Sequence, residues 1–327
     1  MRRLLLATPA LLVLPGCEGI QSALAPKGVD AAAIAQVSWI IFIGAGLIFA
    51  LVLGLILYAM YTPQGWRRWT TTHGFIIGGG IVFPVVTLTT LLAYGLSLTG
   101  SVGRSAEEPA IKIEVTGEQF WWRVRYQEKG GKAAVDSANE IHIPVGQHVE
   151  LTLRSTDVIH SFWVPNLAGK LDMIPGQQNV LSIQADVPGT YRGQCAEYCG
   201  LQHAQMAFYV VAHPPEDFDR WLDERREPAA QPLADFVKQG QGLFVSAGCG
   251  ACHTVRGIDA AGEIGPDLTH IGSRHSIGAG MWPNNAGTLA AWIASSQHLK
   301  PGNKMPSFGV LSGGELRALA TYLESLK

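Results

Sequence analysis

Hydrophobic and polar positions along this chain change period twice, and each regime predicts a different architecture. Residues 38–61 and 75–98 carry no charged side chain. Each run exceeds the ~20 apolar residues needed to cross a bilayer as a helix. Trp and Tyr stand near their ends, where the membrane interface favours them. The loop between them, 62–74, contains Arg67 and Arg68, and basic loops stay on the cytoplasmic side. The two runs therefore predict a transmembrane helical hairpin, with everything after residue 98 outside.

From residue 110 the period is two. Ile111, Ile113 and Val115 alternate with Lys112, Glu114 and Thr116; Ile141, Ile143 and Val145 alternate with His142 and Pro144; Val149, Leu151 and Leu153 repeat the pattern. Short alternating runs separated by Gly, Pro and Asn predict an antiparallel β-sandwich over 110–213, with 180–185 and 206–211 as further strands. Residues 214–232 are charged and proline-rich and read as a short helix followed by a linker. Beyond them the pattern is helical. Residues 235–245 read as a helix, Thr288 precedes Leu289, Trp292 and Ile293, and Ser312-Gly-Gly-Glu315 has the pattern of a capping box. Leu316, Leu319, Leu323 and Leu326 then form one apolar stripe, so 233–327 predicts a small all-α domain.

The N-terminus adds a compartment. Met1-Arg2-Arg3, an apolar run from Leu4 to Leu14, and Leu14-Pro15-Gly16-Cys17 describe a secretory signal. The last four residues resemble the lipobox of bacterial lipoproteins, which implies removal of 1–16, lipidation of Cys17, and an external segment over 17–37. The formal net charge of −2 gives no support for nucleic-acid binding. Five cysteines occur, one in the signal region and two in each of two motifs. One or two structural disulfides are the alternative, but every cysteine has a better-specified role.

The first motif is Cys195-Ala-Glu-Tyr-Cys199-Gly-Leu-Gln-His203-Ala-Gln-Met206. Thiolate, imidazole and thioether together are the ligand set that copper selects. With a second cysteine four residues from the first, two thiolates can face one site and bridge two copper ions. His160 is the candidate fourth ligand. Zinc is the rival, because His160, Cys195, Cys199 and His203 also make a Cys₂His₂ set; Met206 favours copper. The second motif, Cys249-Gly-Ala-Cys252-His253, is the attachment signature of haem c: two thioether bonds and a proximal imidazole.

On these residues, 38–213 resembles subunit II of the haem–copper cytochrome c oxidases. The pattern C-x-E-x-C-x-x-x-H-x-x-M, with Asp157-Val158-Ile159-His160-Ser161 upstream, resembles its binuclear CuA centre. The resemblance implies a cupredoxin-like sandwich, bridging thiolates from Cys195 and Cys199, and terminal imidazoles from His160 and His203. It also implies weak axial contacts from Met206 and the Glu197 backbone carbonyl, and a Glu197 side chain that helps hold magnesium at the contact with the catalytic subunit. Lys304-Met305-Pro306 resembles the methionine loop of class I cytochromes c, and Gly265-Pro266-Asp267-Leu268 their proximal loop. Met305 is then the sixth iron ligand, and His/Met ligation raises the haem potential. Met281 is the rival and lacks the loop context. His270, His275 and His298 read as surface or packing residues.

Three positions depart from the family pattern. Phe120 stands where Trp is common in the aromatic patch that receives electrons, leaving Trp121 as a possible substitute. Gln177 follows Asp172-Met-Ile-Pro-Gly176 where Arg is usual. The second apolar run has no acid, and His73 reads as an interfacial histidine.

The expected function is the electron-input subunit of a terminal oxidase in a bacterial inner membrane, with both redox domains on the periplasmic or extracellular side. Electrons would pass from an external donor, such as a cytochrome c or a bc-type complex, to haem c and then to CuA. From there they would reach the haem of catalytic subunit I, which reduces oxygen and translocates protons, with subunit III as a further partner. Neither apolar run contains a histidine, so the oxygen chemistry belongs to another chain. The alternatives are the corresponding subunit of a CuA-containing nitric oxide reductase, and a membrane-anchored copper-binding assembly protein. The haem motif weighs against the last, since a copper carrier needs no second redox centre.

Overall fold

A computed structural model describes residues 18–100, 102–103, 107–128 and 130–327. The expected signal peptide, 1–16, and Cys17 lie outside the described residues. Among the described residues two helices, Val29–Tyr61 and His73–Thr99, are long and apolar enough to cross a membrane, and no other described segment covers their apolar stretches. Exposed Phe49 and Leu88 are typical of their surfaces. Helices apolar on every side need a lipid or protein environment.

The first helix starts at Val29 rather than at residue 38. Its first turns pack on the sandwich, with Ala31 and Ala35 buried. The Lys27 amide donates to the Asn166 carbonyl at 2.7 Å, and the Asn166 side chain donates to the carbonyls of Gly19, Ser22 and Ala25. At Gly28 a side chain has no room, because a Cβ would lie 2.3 Å from the Gln184 carbonyl oxygen. The segment before the membrane is thus strapped to the domain that follows it. The second helix widens into a π-turn over Gly78–Val82, just before Pro84. Proline lacks an amide and crowds the preceding turn, which accounts for the irregularity.

Among the described residues ten strands make the sandwich: β1 (Ile111–Glu118), β2 (Trp121–Tyr126), β3 (Val135–Ala138), β4 (Glu140–Pro144), β5 (Val149–Ser155), β6 (His160–Trp163), β7 (Leu171–Met173), β8 (Asn179–Ile183), β9 (Gly189–Cys195) and β10 (Ala207–His213). They form two five-stranded sheets, ordered β3-β2-β1-β5-β8 and β4-β10-β9-β6-β7. The expectation of purely antiparallel pairing is corrected at two places: β1 pairs with β5, and β10 with β4, in parallel. The chain crosses between sheets after β3 and again after β4, so strands distant in sequence meet in the same direction. Ile113, Val115, Leu151, Leu153, Phe162 and Phe208 lie in the core between the sheets. In β4 the expected alternation fails, because all five residues are buried. The helix Pro215–Glu224 covers the outer face there, with Trp221 stacked 3.9 Å from the His142 ring. Phe218 and Leu222 of this helix join the sandwich core, so only the residues after Glu224 bridge to the next domain.

The C-terminal domain is built on the helices Asp235–Ser246, Ala286–Leu299 and Gly313–Ser325. Phe244, Leu289, Ile293, Leu319, Tyr322 and Leu323 fill its core. Ser312 and Glu315 form the expected reciprocal cap. The middle helix is capped by Asn285, with Thr288 as its third residue rather than its start.

Candidate metal and haem sites

The sandwich concentrates soft ligands at one end. Cys195 is the last residue of β9, and the following loop carries Cys199 and the turn His203–Gln205 before β10 begins. His160 opens β6, the neighbour of β9. Ligand atoms of His160, Cys195 and Cys199 all lie within 4.8 Å of one another. Cys195 Sγ is 3.8 Å from His160 Nδ1, and Cys199 Sγ is 3.8 Å from both His203 Nδ1 and Met206 Sδ. The Glu197 carbonyl oxygen is 3.1 Å from Cys195 Sγ. Both thiols are free and buried.

A second layer of contacts fixes these ligands. His160 Nε2 lies 2.9 Å from an Asp157 carboxylate oxygen, which must accept its proton and so leaves Nδ1 free for a metal. The other Asp157 oxygen accepts from the Gln119 amide at 2.7 Å, and the Gln119 side chain donates to the Cys199 carbonyl at 2.6 Å. Burial raises the Asp157 pKa, but these hydrogen bonds outweigh it and hold the carboxyl below its ordinary value. Gly117 gives the imidazole its room, since a Cβ there would lie 2.7 Å from the His160 ring.

The thiols are electrostatically uneven. A hydrogen bond from the Cys199 thiol pushes Cys195 well below the usual thiol range; burial opposes this and the His160 imidazole reinforces it. The same bond raises Cys199, with burial adding to the effect. Two adjacent buried thiols that give up their protons can hold a cation in their place. Two thiols, two imidazoles, a thioether and a carbonyl form a soft donor set that fits copper. A four-ligand zinc site would leave the Met206 thioether beside Cys199 without a role.

A cavity of about 220 Å³ is lined mostly by the C-terminal domain and, on one side, by Gln119, Phe120 and Trp121 of the sandwich. Cys249, Cys252, His253 and Met305 all line it, and Met281 does not. His253 Nδ1 donates to the Pro266 carbonyl at 2.8 Å, which leaves Nε2 as the free ligand atom. Burial lowers the His253 pKa and keeps the ring neutral, as a metal ligand must be. The Met305 thioether accepts from Trp292 Nε1 at 3.1 Å. Paired thiols, a neutral imidazole and a thioether around an otherwise mostly apolar hollow fit a covalently attached haem.

Residues 115–213 match the family described as "Cytochrome C oxidase subunit II, periplasmic domain", and residues 237–327 match "Cytochrome c". A cytochrome c oxidase subunit 2 from Alkalihalophilus pseudofirmus is 38% identical over 253 residues, covering 75% of this chain and 71% of that protein. The chain belongs to the cytochrome c oxidase subunit II family. The Bacillus subtilis subunit 2 is 34% identical over 257 residues, 76% of this chain and 70% of its own length. The solved periplasmic domain of subunit II from Bradyrhizobium japonicum is 26% identical, covering 37% of this chain and 97% of that one, with a TM-score of 0.35. As a subunit II, this chain is part of an oxidase, and it carries a cytochrome c domain behind its periplasmic domain.

Within this subunit II the two aromatic residues expected to receive electrons face the fused domain. Phe120 is buried. Its ring would lie 3.4 Å from a Cβ on Gly200 of the metal loop and 3.6 Å from one on Gly302 of the cytochrome domain. Trp121 lines the haem cavity beneath the Arg123 guanidinium, which donates to the Glu263 carbonyl at 3.0 Å. Gln177, His73 and His298 are exposed. His270 binds the carbonyls of Glu227 and Lys327, and His275 binds Glu140 of β4 across the domain boundary. Asp157, Gln119, Trp292 and Lys300 escaped the sequence reading as site residues. Asp157 stands in the quoted motif and could have been found there; nothing in the sequence singles out the others.

Proposed function

We propose that this chain is the electron-input subunit of a terminal oxidase, with Cys195, Cys199, His160 and His203 holding a copper pair and Cys249, Cys252, His253 and Met305 holding haem c. Met206 and the Glu197 carbonyl complete the copper set. When bound, both groups accept and release single electrons without bond rearrangement. The protein's part is to hold their ligands still. Asp157 fixes the His160 tautomer, Gln119 ties the metal loop to the β1–β2 turn, and Trp292 anchors the Met305 thioether. Electrons from an external donor would reach haem c first, then copper, then the haem of the partner subunit I, where oxygen is reduced and protons are moved. Subunit III completes the expected assembly in a bacterial inner membrane. The half-buried Glu197 carboxylate accepts from the Tyr198 amide at 3.2 Å and is the candidate magnesium ligand facing subunit I.

The observation that carries this reading is the shared wall: Gln119 contacts the copper loop and also lines the haem cavity. The test is the purified full-length chain. It should hold two coppers and one covalent haem, show the near-infrared band of a copper pair, and lose that band in Cys199→Ser. A chain that binds one zinc, or whose reduced haem leaves the copper oxidised, overturns the reading.

A further inference from the structure

Lys300 closes the helix Ala286–Leu299 and is 1% exposed, one of the largest fully buried side chains in the molecule. An ammonium out of water is unfavourable unless its donors are satisfied. Here all three protons have an acceptor. Nζ lies 3.0 Å from the Phe120 carbonyl, 2.8 Å from the Gln205 carbonyl and 2.8 Å from the Gly278 carbonyl. The first two belong to the sandwich and the third to the cytochrome domain. None of the three is a carboxylate, so the charge serves to gather backbone dipoles from both sides of the domain boundary.

The acceptors are placed to matter. Phe120 follows Gln119, whose side chain holds the Cys199 carbonyl. Gln205 precedes Met206 in the metal loop. One residue beyond Gly278, the Ala279 carbonyl accepts from the Ala207 amide at 3.0 Å, a backbone bond between the domains. Burial lowers the Lys300 pKa to about 7, against the attraction of Cys199.

We propose that Lys300 is a positioning residue for electron transfer between the haem domain and the copper loop: its ammonium ties the backbones of Phe120 and Gln205 to that of Gly278 and fixes the Phe120 ring between Gly200 and Gly302. The proposal rests on the copper and haem reading above. In the step it serves, the haem domain is oxidised by one electron and the copper site reduced by one. No bond is made or broken and no proton moves.

The test compares Lys300→Met with the parent in the full-length, haem-loaded chain. Losing one hydrogen bond to a charged group is already worth roughly tenfold in an equilibrium. The Ala207 amide should therefore exchange with deuterium about tenfold faster or more, while Phe244 and Leu319 in the haem-domain core keep their protection. After flash reduction of the haem, electron arrival at copper should slow, with both absorption spectra unchanged. Lys300→Gln, which keeps two donors, should fall between. It carries the comparison if the methionine variant does not incorporate haem. Unchanged Ala207 exchange together with an unchanged transfer rate overturns the positioning role. A parent chain without the copper pair, or without haem-to-copper transfer, overturns the earlier reading instead.

Discussion

The copper and haem sites solve the same problem by opposite means. In the sandwich, ligands from β6, β9 and the β9–β10 loop already stand within contact distance, locked by Asp157, Gln119 and the space left at Gly117. In the cytochrome domain the ligands surround a hollow, and the group they bind must itself be the centre of the core. A sheet can bring side chains from adjacent strands together through backbone pairing alone. The candidate copper ligands thus lie close together through strand pairing, whereas the candidate haem ligands face one another across a cavity.

Withholding each cofactor in turn is the strongest challenge to that contrast. The cavity of about 220 Å³ opens to the surface and has a mostly apolar lining, so a prosthetic group seated there buries apolar surface and stabilises the domain. A chain made without haem should lose most of the helical circular dichroism of 237–327. Removing copper by chelation should leave the sheet spectrum intact. If the sandwich melts with its metal, the contrast fails.

The next effect tests whether the copper ligands are preset by packing. Gly117→Ala places a methyl group 2.7 Å from the His160 ring, and overpacking of this kind costs about 1–3 kcal/mol. The variant should bind copper more weakly and show a shifted near-infrared band, with the haem spectrum unaffected. Ser312→Ala removes the cap of the last helix and should lower haem-domain stability by about 1 kcal/mol in a denaturant titration, with copper unchanged.

The smallest effect concerns the boundary. His275 and Glu140 meet there at 2.8 Å. The bond to Glu140 raises the His275 pKa above 6.5, with burial opposing it. Burial would raise Glu140, but its bonds from His142 and His275 hold it well below 4.5. The imidazolium's contribution is full below pH 6.5 and is lost as pH rises through its raised value; the carboxylate's is full above pH 4.5 and is lost as pH falls through its lowered value. The contact is therefore strongest in mildly acidic solution. Half-exposed pairs contribute less than ~1 kcal/mol. His275→Gln should abolish a small gain in haem-domain stability on going from about pH 9 to about pH 6. An unchanged pH profile would show that the backbone bond from the His275 amide to Glu140 carries the contact.

Much of this was legible in the chain. The uncharged runs gave both long helices, alternation gave the inward faces of β1 and β5, and the leucine stripe gave the last helix. Cys195, Cys199, His203 and Met206 come together because spacing within a loop is local information, whereas His160 and Met305, on distant segments, are reached through resemblance to family motifs. What stayed hidden is what needs two distant segments. Alternation in β4 failed because Trp221, far along the chain, covers His142. The parallel pairings depend on crossings between sheets, which no local pattern encodes. Lys300 reads as an ordinary surface lysine until the fold brings it to three carbonyls from 95 and 180 residues upstream and from Gly278 nearby.

The buried ring of Phe120 has a consequence for selection. A surface that serves a visiting protein must discriminate, holding the right partner briefly and rejecting the rest. Under the proposed route, in which the fused domain is the donor, the partner of Phe120 is held in the same polypeptide, and what constrains the ring is its fit between Gly200 and Gly302.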